Sequence, residues 1–293
     1  MTWLWAVFTV IAAAGQTARN AMQRELTAKL GTVGATHVRF LFGCPFALIF
    51  LAGVLIAKEA SPPPAGIAFW AWILLGALSQ IFATALMLAA MGERSFVVAI
   101  AYTKTEPVQV AVFGLAFLGD PLNLATAAAI LLATSGVVVM SWKPGARGGL
   151  WPAVLGISAG SMFALAAIGY RGAILALQAD FVLAATFTLA VGLTVQAVLL
   201  SVYLALRTPA VLRAIALAWR PSLFAGAMGA FASQFWFLAF ALTTAANVRT
   251  LALVEVLFAQ GVSHVAFKQP ATTREALGVL LVVAGVVLLI WAQ

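Results

Sequence analysis

Ten apolar stretches, each long enough to cross a bilayer, occupy almost all of this chain: 3–22, 35–57, 66–90, 96–118, 123–142, 151–176, 181–206, 222–243, 246–267 and 272–292. Each offers the roughly 20 residues that ~30 Å of hydrocarbon demands of a helix rising ~1.5 Å per residue. A backbone inside lipid must satisfy its own hydrogen bonds, which leaves only helices or a closed barrel. The stretches are runs of Ala, Leu, Val and Phe without the every-second-residue alternation of barrel strands, so helices are expected. At 64% hydrophobic and 8% charged residues, the composition excludes an ordinary soluble domain. The start, Met1-Thr2-Trp3-Leu4-Trp5, carries no basic leader, so the first apolar run is expected to remain as a helix.

The net charge of +8 is spread through the connections rather than gathered into a patch with aromatics, so a nucleic-acid partner is not expected. Its distribution reads as a topology signal. Arg19, Arg24, Lys29, Arg39, Arg94, Lys143, Arg147, Arg207, Arg213, Arg220, Lys268 and Arg274 lie in or beside the loops after odd-numbered stretches. The opposite side holds Lys58, Arg171 and Arg249, while Lys104 falls inside the fourth stretch. By the positive-inside rule the crowded side faces the cytoplasm, which places both termini outside a cell (inner) membrane. The single Cys44 permits no internal disulfide, and two His and one Cys offer no recognisable metal set, so neither a metal nor a cofactor is expected. No Gly-Lys-Ser/Thr phosphate loop is present either.

The chain repeats itself. A shift of 149 residues lays 95–143 on 244–292 without a gap, matching Glu106 with Glu255, Pro121 with Pro270, Gly136 with Gly285 and Trp142 with Trp291. Ser79-Gln80 matches Ser233-Gln234 at a shift of 154, five extra residues lying between Gln80 and Glu106. Val and Leu matches are cheap in apolar helices; Glu, Pro and Trp at one shift are not. Five crossings per copy is an odd number, so the second copy enters from the opposite side. The expected architecture is an all-α integral membrane protein of ten transmembrane helices, two inverted five-helix repeats around a central cavity. Residues 1–143 form the first repeat, 144–150 the linker with Gly145, Gly148 and Gly149, and 151–293 the second. Because both copies sit in one chain, a monomer is expected.

Glu106-Pro107 in the fourth stretch, Gly119-Asp120-Pro121 after it, Gly136-Val137-Val138 in the fifth and Arg39-Phe40 in the second resemble the drug/metabolite transporter superfamily, EamA type, across essentially the whole chain. Asp120 and Gln269 stand where the acid of the Gly-Glu turn is usual, and Val256 replaces the second-half Pro. The resemblance implies a secondary transporter. Its members include exporters of small metabolites and of amino acids, among them aromatic ones of the YddG type. Members more often keep both termini inside, whereas the charge count here favours the outside.

Charges at membrane depth require a partner, a watery cavity or a function. Lys104 and Glu106 lie roughly 200° apart around a helix. Pro107, which removes a donor and frees the carbonyl near Thr103, supplies the break that could unwind them and is the candidate hinge. Lys104 and Arg249 are candidate carboxylate partners, and Glu106 and Glu255 candidate amine or proton sites, although each suits a helix-to-helix tie and Arg249 an interface anchor. Gln16, Arg19, Asn20 and Gln23 form a stripe on one face of the first helix, where Gln16 and Asn20 are expected to line the cavity. Gln80, Gln234, Tyr102 and Trp236 complete the expected substrate-binding shell for an amphipathic organic solute. Trp3, Trp5, Trp142, Trp151 and Trp291 read as an interfacial belt.

Gly156-Ile157-Ser158-Ala159-Gly160 spells a nucleophile elbow, but that device needs a strand-to-helix turn and this segment is mid-helix. His264 lacks an orienting acid, so close helix packing is the better reading and catalysis is not expected. The expectation is an alternating-access exporter of small organic solutes, amino acids first, with membrane lipid as its surroundings. An exporter of lipophilic cations or drugs is the alternative, an intramembrane enzyme the distant one, and a purely structural subunit fits buried charge poorly.

Overall fold

The computed structural model describes residues 3–91, 102–141, 150–258 and 272–292, with the backbone alone at 20–25, 90–91, 141, 150 and 152–153. Every regular element among the described residues is helical: α1 (Leu4–Ala57), α2 (Ile67–Met91), α3 (Glu106–Phe113), α4 (Leu124–Ser141), α5 (Leu150–Ala176), α6 (Phe181–Arg207), α7 (Pro209–Leu217), α8 (Trp219–Leu242), α9 (Ala245–Leu251) and α10 (Thr273–Trp291). Among the described residues, six segments are long and apolar enough to cross a membrane: Leu26–Ala57, Ile67–Ala89, Val154–Ala176, Phe181–Arg207, Trp219–Leu242 and Thr273–Trp291. Two shorter apolar ones, Glu106–Leu118 and Leu124–Met140, accompany them. Side chains such as Ile49, Leu124, Leu206 and Leu280 point outward, as a multi-pass membrane protein requires and a water-soluble one would not sustain.

Several boundaries differ from the sequence expectation, for identifiable reasons. The first two expected spans run together as α1, and the only non-helical backbone inside it is Gly31, at φ 70°, ψ 174°. Glycine alone reaches such angles without a Cβ clash, so the chain redirects there instead of through an open loop. The connection after α6 is itself helical: Pro209 sits in the first turn of α7, where its missing N–H costs nothing. Ile215 of α7 is buried while Leu217 is exposed. Trp5, expected in the interfacial belt, is instead 4% exposed and packed in the core, because helical winding turns it inward while Trp3 faces out. Trp151 and Trp291 are exposed as a belt requires; Trp142, the linker 144–149 and His264 lie outside the described residues.

The chain folds as two compact units, each drawing on both sequence halves. The first comprises 1–81 and 169–242. Its helices approach through glycines: a Cβ on Gly169 would meet the Gly76 backbone at 2.5 Å, one on Gly172 the Trp72 ring at 2.5 Å, and one on Gly226 the Phe42 side chain at 2.4 Å. Several buried polar groups of this unit find partners inside it. Gln196 Nε2 donates to the Ala77 carbonyl at 3.1 Å and to Tyr170 Oη at 2.9 Å, and Arg171 Nη1 donates to the Phe240 carbonyl at 2.7 Å. At its rim Asp180 caps α6 by accepting from the Val182 and Leu183 amides, and Lys58 Nζ lies 2.8 Å from it. The Lys58 contact, with those amides, holds the Asp180 carboxyl below its ordinary range.

The second unit comprises 82–168 and 243–293. Its core is the contact of α4 with α10. A Cβ on Gly136 would meet the Gly278 carbonyl and the Val282 amide, both at 2.7 Å. One on Gly285 would meet the Ala133 amide at 2.6 Å and the Ala129 carbonyl at 2.8 Å. Gly285 is Gly136 shifted by 149, and Gly278 and Val282 are Ala129 and Ala133 shifted by the same amount. The contact is therefore reciprocal under the sequence shift. Ala133, Val137, Met140, Leu253 and Val282 fill the space around it.

Candidate functional site

The fourth and ninth stretches break at corresponding places, both inside the second unit. Tyr102 and Thr103 are helical, Lys104 and Thr105 form a turn, and α3 then begins at Glu106 with Pro107 in its first turn. In the second half α9 stops at Leu251, Ala252 and Leu253 form the turn, and helix resumes over 254–258. Both breaks tighten into i→i−3 bonds: Thr105 N to Tyr102 O at 3.1 Å on one side, Glu255 N to Ala252 O at 3.0 Å on the other. Pro107 explains the first break, since its ring removes the amide that would bond the Thr103 carbonyl. Val256 stands in the equivalent place, so the second break arises without proline, and Leu253 of that turn packs into the α4–α10 core.

The broken stretches carry four charges, and these pair across rather than along the chain. Lys104 forms an ion pair with Glu255, the side chains 23% and 10% exposed. Arg249 Nε lies 3.0 Å from Glu106 Oε1, with exposures of 11% and 14%. That second contact has the distance of an ion pair without the alignment of a hydrogen bond. The two acids are related by the sequence shift of 149, and each takes its cation from the other half of the chain. The cations are not related by that shift: Arg249 corresponds to position 100, one helical turn before Lys104. Charge at depth is thus neutralised pairwise, and removing one partner would strand the other in an apolar setting. Each acid also opens the second piece of its broken helix, where the macrodipole favours negative charge.

A polar chain runs from the break into α5. Thr105 Oγ1 donates to the Tyr102 carbonyl at 2.7 Å, Gln109 Nε2 donates to Thr105 Oγ1 at 3.1 Å, and Ser161 Oγ donates to Gln109 Oε1 at 2.5 Å. Gly160 packs beside it, close enough that a Cβ would stand 3.1 Å from the Thr103 carbonyl. The GxSxG run is therefore a helix-packing surface whose glycine admits the broken backbone. Sequence reading passed over Gln109; its place one turn after Thr105 was the available signal.

The remaining predicted residues fall into the other unit. Gln80 is buried, Gln16 half-buried, and Gln234 Nε2 donates to Thr186 Oγ1 at 2.8 Å. Trp236 is buried and stacks on Phe240 at 6.4 Å between ring centroids. The side chains of Asn20 and Gln23 lie outside the described residues. Of the ten predicted side chains, the structure gathers Lys104, Glu106, Arg249 and Glu255 together with the half-buried Tyr102; Arg249, which the sequence favoured as an interface anchor, is an internal ion-pair partner.

Three comparisons with known proteins add to this geometry. The profile of the EamA-like transporter family matches residues 3–142. A crystal structure of a protein 14% identical in sequence superposes with a TM-score of 0.72, covering 98% of this chain and 95% of its own, a likeness of fold alone. No curated protein matches.

Proposed function

We propose that the chain is a secondary transporter of the drug/metabolite transporter superfamily exporting small organic solutes, amino acids first; the match of residues 3–142 to the EamA-like transporter family supports this reading. In this reading ten crossing segments form two inverted repeats, 1–143 and 151–293, joined by 144–150 in the cell membrane with both termini outside. The halves exchange access to a bound solute. The reciprocal Gly136 and Gly285 contacts support the repeat, since a shift of 149 converts one set into the other.

The observation that carries the mechanism is the pair of broken helices tied by crossed ion pairs. A transporter needs an element with two arrangements of similar energy. A continuous helix is stiff, whereas a one-turn break at Lys104–Thr105 or Ala252–Leu253 lets each piece tilt on a few dihedrals. Lys104–Glu255 and Arg249–Glu106 hold those pieces, and a proton or a solute ammonium reaching either acid would compete with its cation. Pro107 acts as the hinge on the first side. Tyr102, beside the first break, supplies aromatic surface for the solute body.

The test is counterflow in proteoliposomes preloaded in turn with aromatic, aliphatic and basic amino acids and with lipophilic cations. Uptake of labelled solute driven by unlabelled amino acid inside is expected. Exchange of cations alone would replace the amino-acid assignment by the drug-exporter alternative. Silence from folded, inserted protein would sink the transport reading. Full exchange by a Lys104→Ala, Glu106→Gln double variant would remove the charged hinge from the mechanism.

A further inference from the structure

The helical connection α7 takes no part in the breaks or in the crossed ion pairs. Its nine residues, Pro209–Leu217, rise only about 14 Å, too little to cross a bilayer. It stands between two spans, α6 and α8, at the level where one leaves the membrane and the next enters. Two polar contacts show which end of the first unit this is. Cys44 Sγ lies 3.3 Å from Thr194 Oγ1, and His37 Nε2 lies 3.1 Å from Ser201 Oγ. The two helices therefore run antiparallel, and the C-terminal end of α6 at Arg207 lies toward the Gly31 break in α1.

Helical winding gives α7 two faces. Val211, Leu212 and Ile215 turn inward, and a Cβ on Gly34 would stand 3.0 Å from Val211 Cγ1. Arg213 and Leu217, four residues apart, share the exposed face. Just beyond, the Arg220 guanidinium lies 5.4 Å over the exposed Trp219 ring, and Leu206 is exposed on the near side. Arg207 at the end of α6 and Lys29 beside the Gly31 break are exposed as well. The described acids of this unit, Glu59 and Asp180, belong to the other end of α6, where Lys58 meets Asp180. The sequence itself holds no Asp or Glu between Asp180 and Glu255.

A soluble anion would answer the arginines and leave the leucines bare; a neutral lipid would do the reverse. An anionic phospholipid meets both. We propose that α7 and its flanks, through Arg207, Arg213, Trp219 and Arg220, bind an anionic phospholipid of the surrounding leaflet. Its phosphodiester takes the guanidinium forks, its acyl chains lie along Leu206 and Leu217, and Trp219 sits at headgroup level. The inference rests on the membrane assignment and stands apart from the identity of any transported solute.

The test follows the full chain in detergent by fluorescence anisotropy of acyl-labelled phosphatidylglycerol and phosphatidylcholine with identical chains. A cation near an anionic headgroup adds about fivefold to binding, so the wild type is expected to prefer phosphatidylglycerol by at least fivefold. Arg213→Gln combined with Arg220→Gln should weaken phosphatidylglycerol binding at least threefold and leave phosphatidylcholine within twofold. Arg213→Lys with Arg220→Lys, which keeps the charge, should lose less than the Gln pair. Arg274→Gln, at the exposed start of α10, should change neither lipid. A wild-type preference below fivefold would overturn the proposal. So would a loss below threefold in the Gln pair with its melting temperature unchanged, because the lipid would then sit elsewhere. Displacement of the lipid by millimolar inorganic phosphate would reassign the arginines to a soluble anion and overturn it too.

Discussion

The two compact units solve the same problem, charge inside lipid, in opposite ways. In the unit built from 82–168 and 243–293 the helices break, and every charge at the breaks meets its opposite. In the unit built from 1–81 and 169–242, α2, α6 and α8 run unbroken, packed through glycines, and the stems of Arg19 and Arg39 lie beside Gly229. The difference teaches what each arrangement can do. A neutralised, jointed region can bend without exposing bare charge. A region whose helices cross through bare glycine contacts has little room to shift, and its described change of direction lies at Gly31 in α1.

Breaking a pair tests the first half of that contrast most severely. Glu255→Ala leaves Lys104 stranded in an apolar setting and should cost ~3–5 kcal/mol, read as a fall in melting temperature in detergent. Replacing both partners, as in Lys104→Met with Glu255→Met, should recover most of that loss. A double variant as unstable as the single one would mean the pair is not the stabilising unit. A smaller effect is expected at the α4–α10 contact. Gly136→Ala brings a methyl to 2.7 Å from rigid backbone and should destabilise by ~1–3 kcal/mol, with Gly285→Ala matching it if the reciprocal contact holds. Widely different losses at the two glycines would break the symmetry.

Gly119 closes the π-helical turn Gly114–Leu118 at φ 65°, so Gly119→Ala should cost ~1–2 kcal/mol from backbone strain with open space around the methyl. An unchanged melting temperature would show that the turn relaxes. The smallest effect belongs to Asp180 and Lys58, whose side chains are 44% and 38% exposed. Because Asp180 titrates below its ordinary value when folded, its contribution is present above pH ~4 and fades as pH falls toward the folded value. Solvent screening limits it to about 0.5 kcal/mol or less, and a melting-temperature profile from pH 6 to 3 should flatten slightly in Asp180→Asn. A loss on raising the pH instead would reverse the assigned sign.

Much of this was legible in the chain. Apolar length required helices, and the shift of 149 linked Glu106 to Glu255 and Gly136 to Gly285 before any coordinates. Pro107 announced a break, and the Gly119-Asp120-Pro121 turn appears where its residues demanded one. The partners of the charges were not legible. Lys104 and Glu106, two residues apart, invited a reading in which they act together, but the helix sends them to different partners 151 and 143 positions away. Helical periodicity is local and fixes the face a side chain takes, not what stands opposite.

The sequence by itself determined that the chain lives in a membrane, that it is helical, and which few polar residues must be accounted for. These follow from hydrophobic length and from backbone hydrogen bonding, which act on any segment regardless of its neighbours. Only the tertiary structure decided that Trp5 turns inward, that Arg249 is a pair partner, and that the stems of Arg19 and Arg39 meet on Gly229. Those outcomes depend on which helix faces cross and where a missing Cβ lets two side chains share one place. No single stretch of sequence encodes that; it belongs to the packing of several.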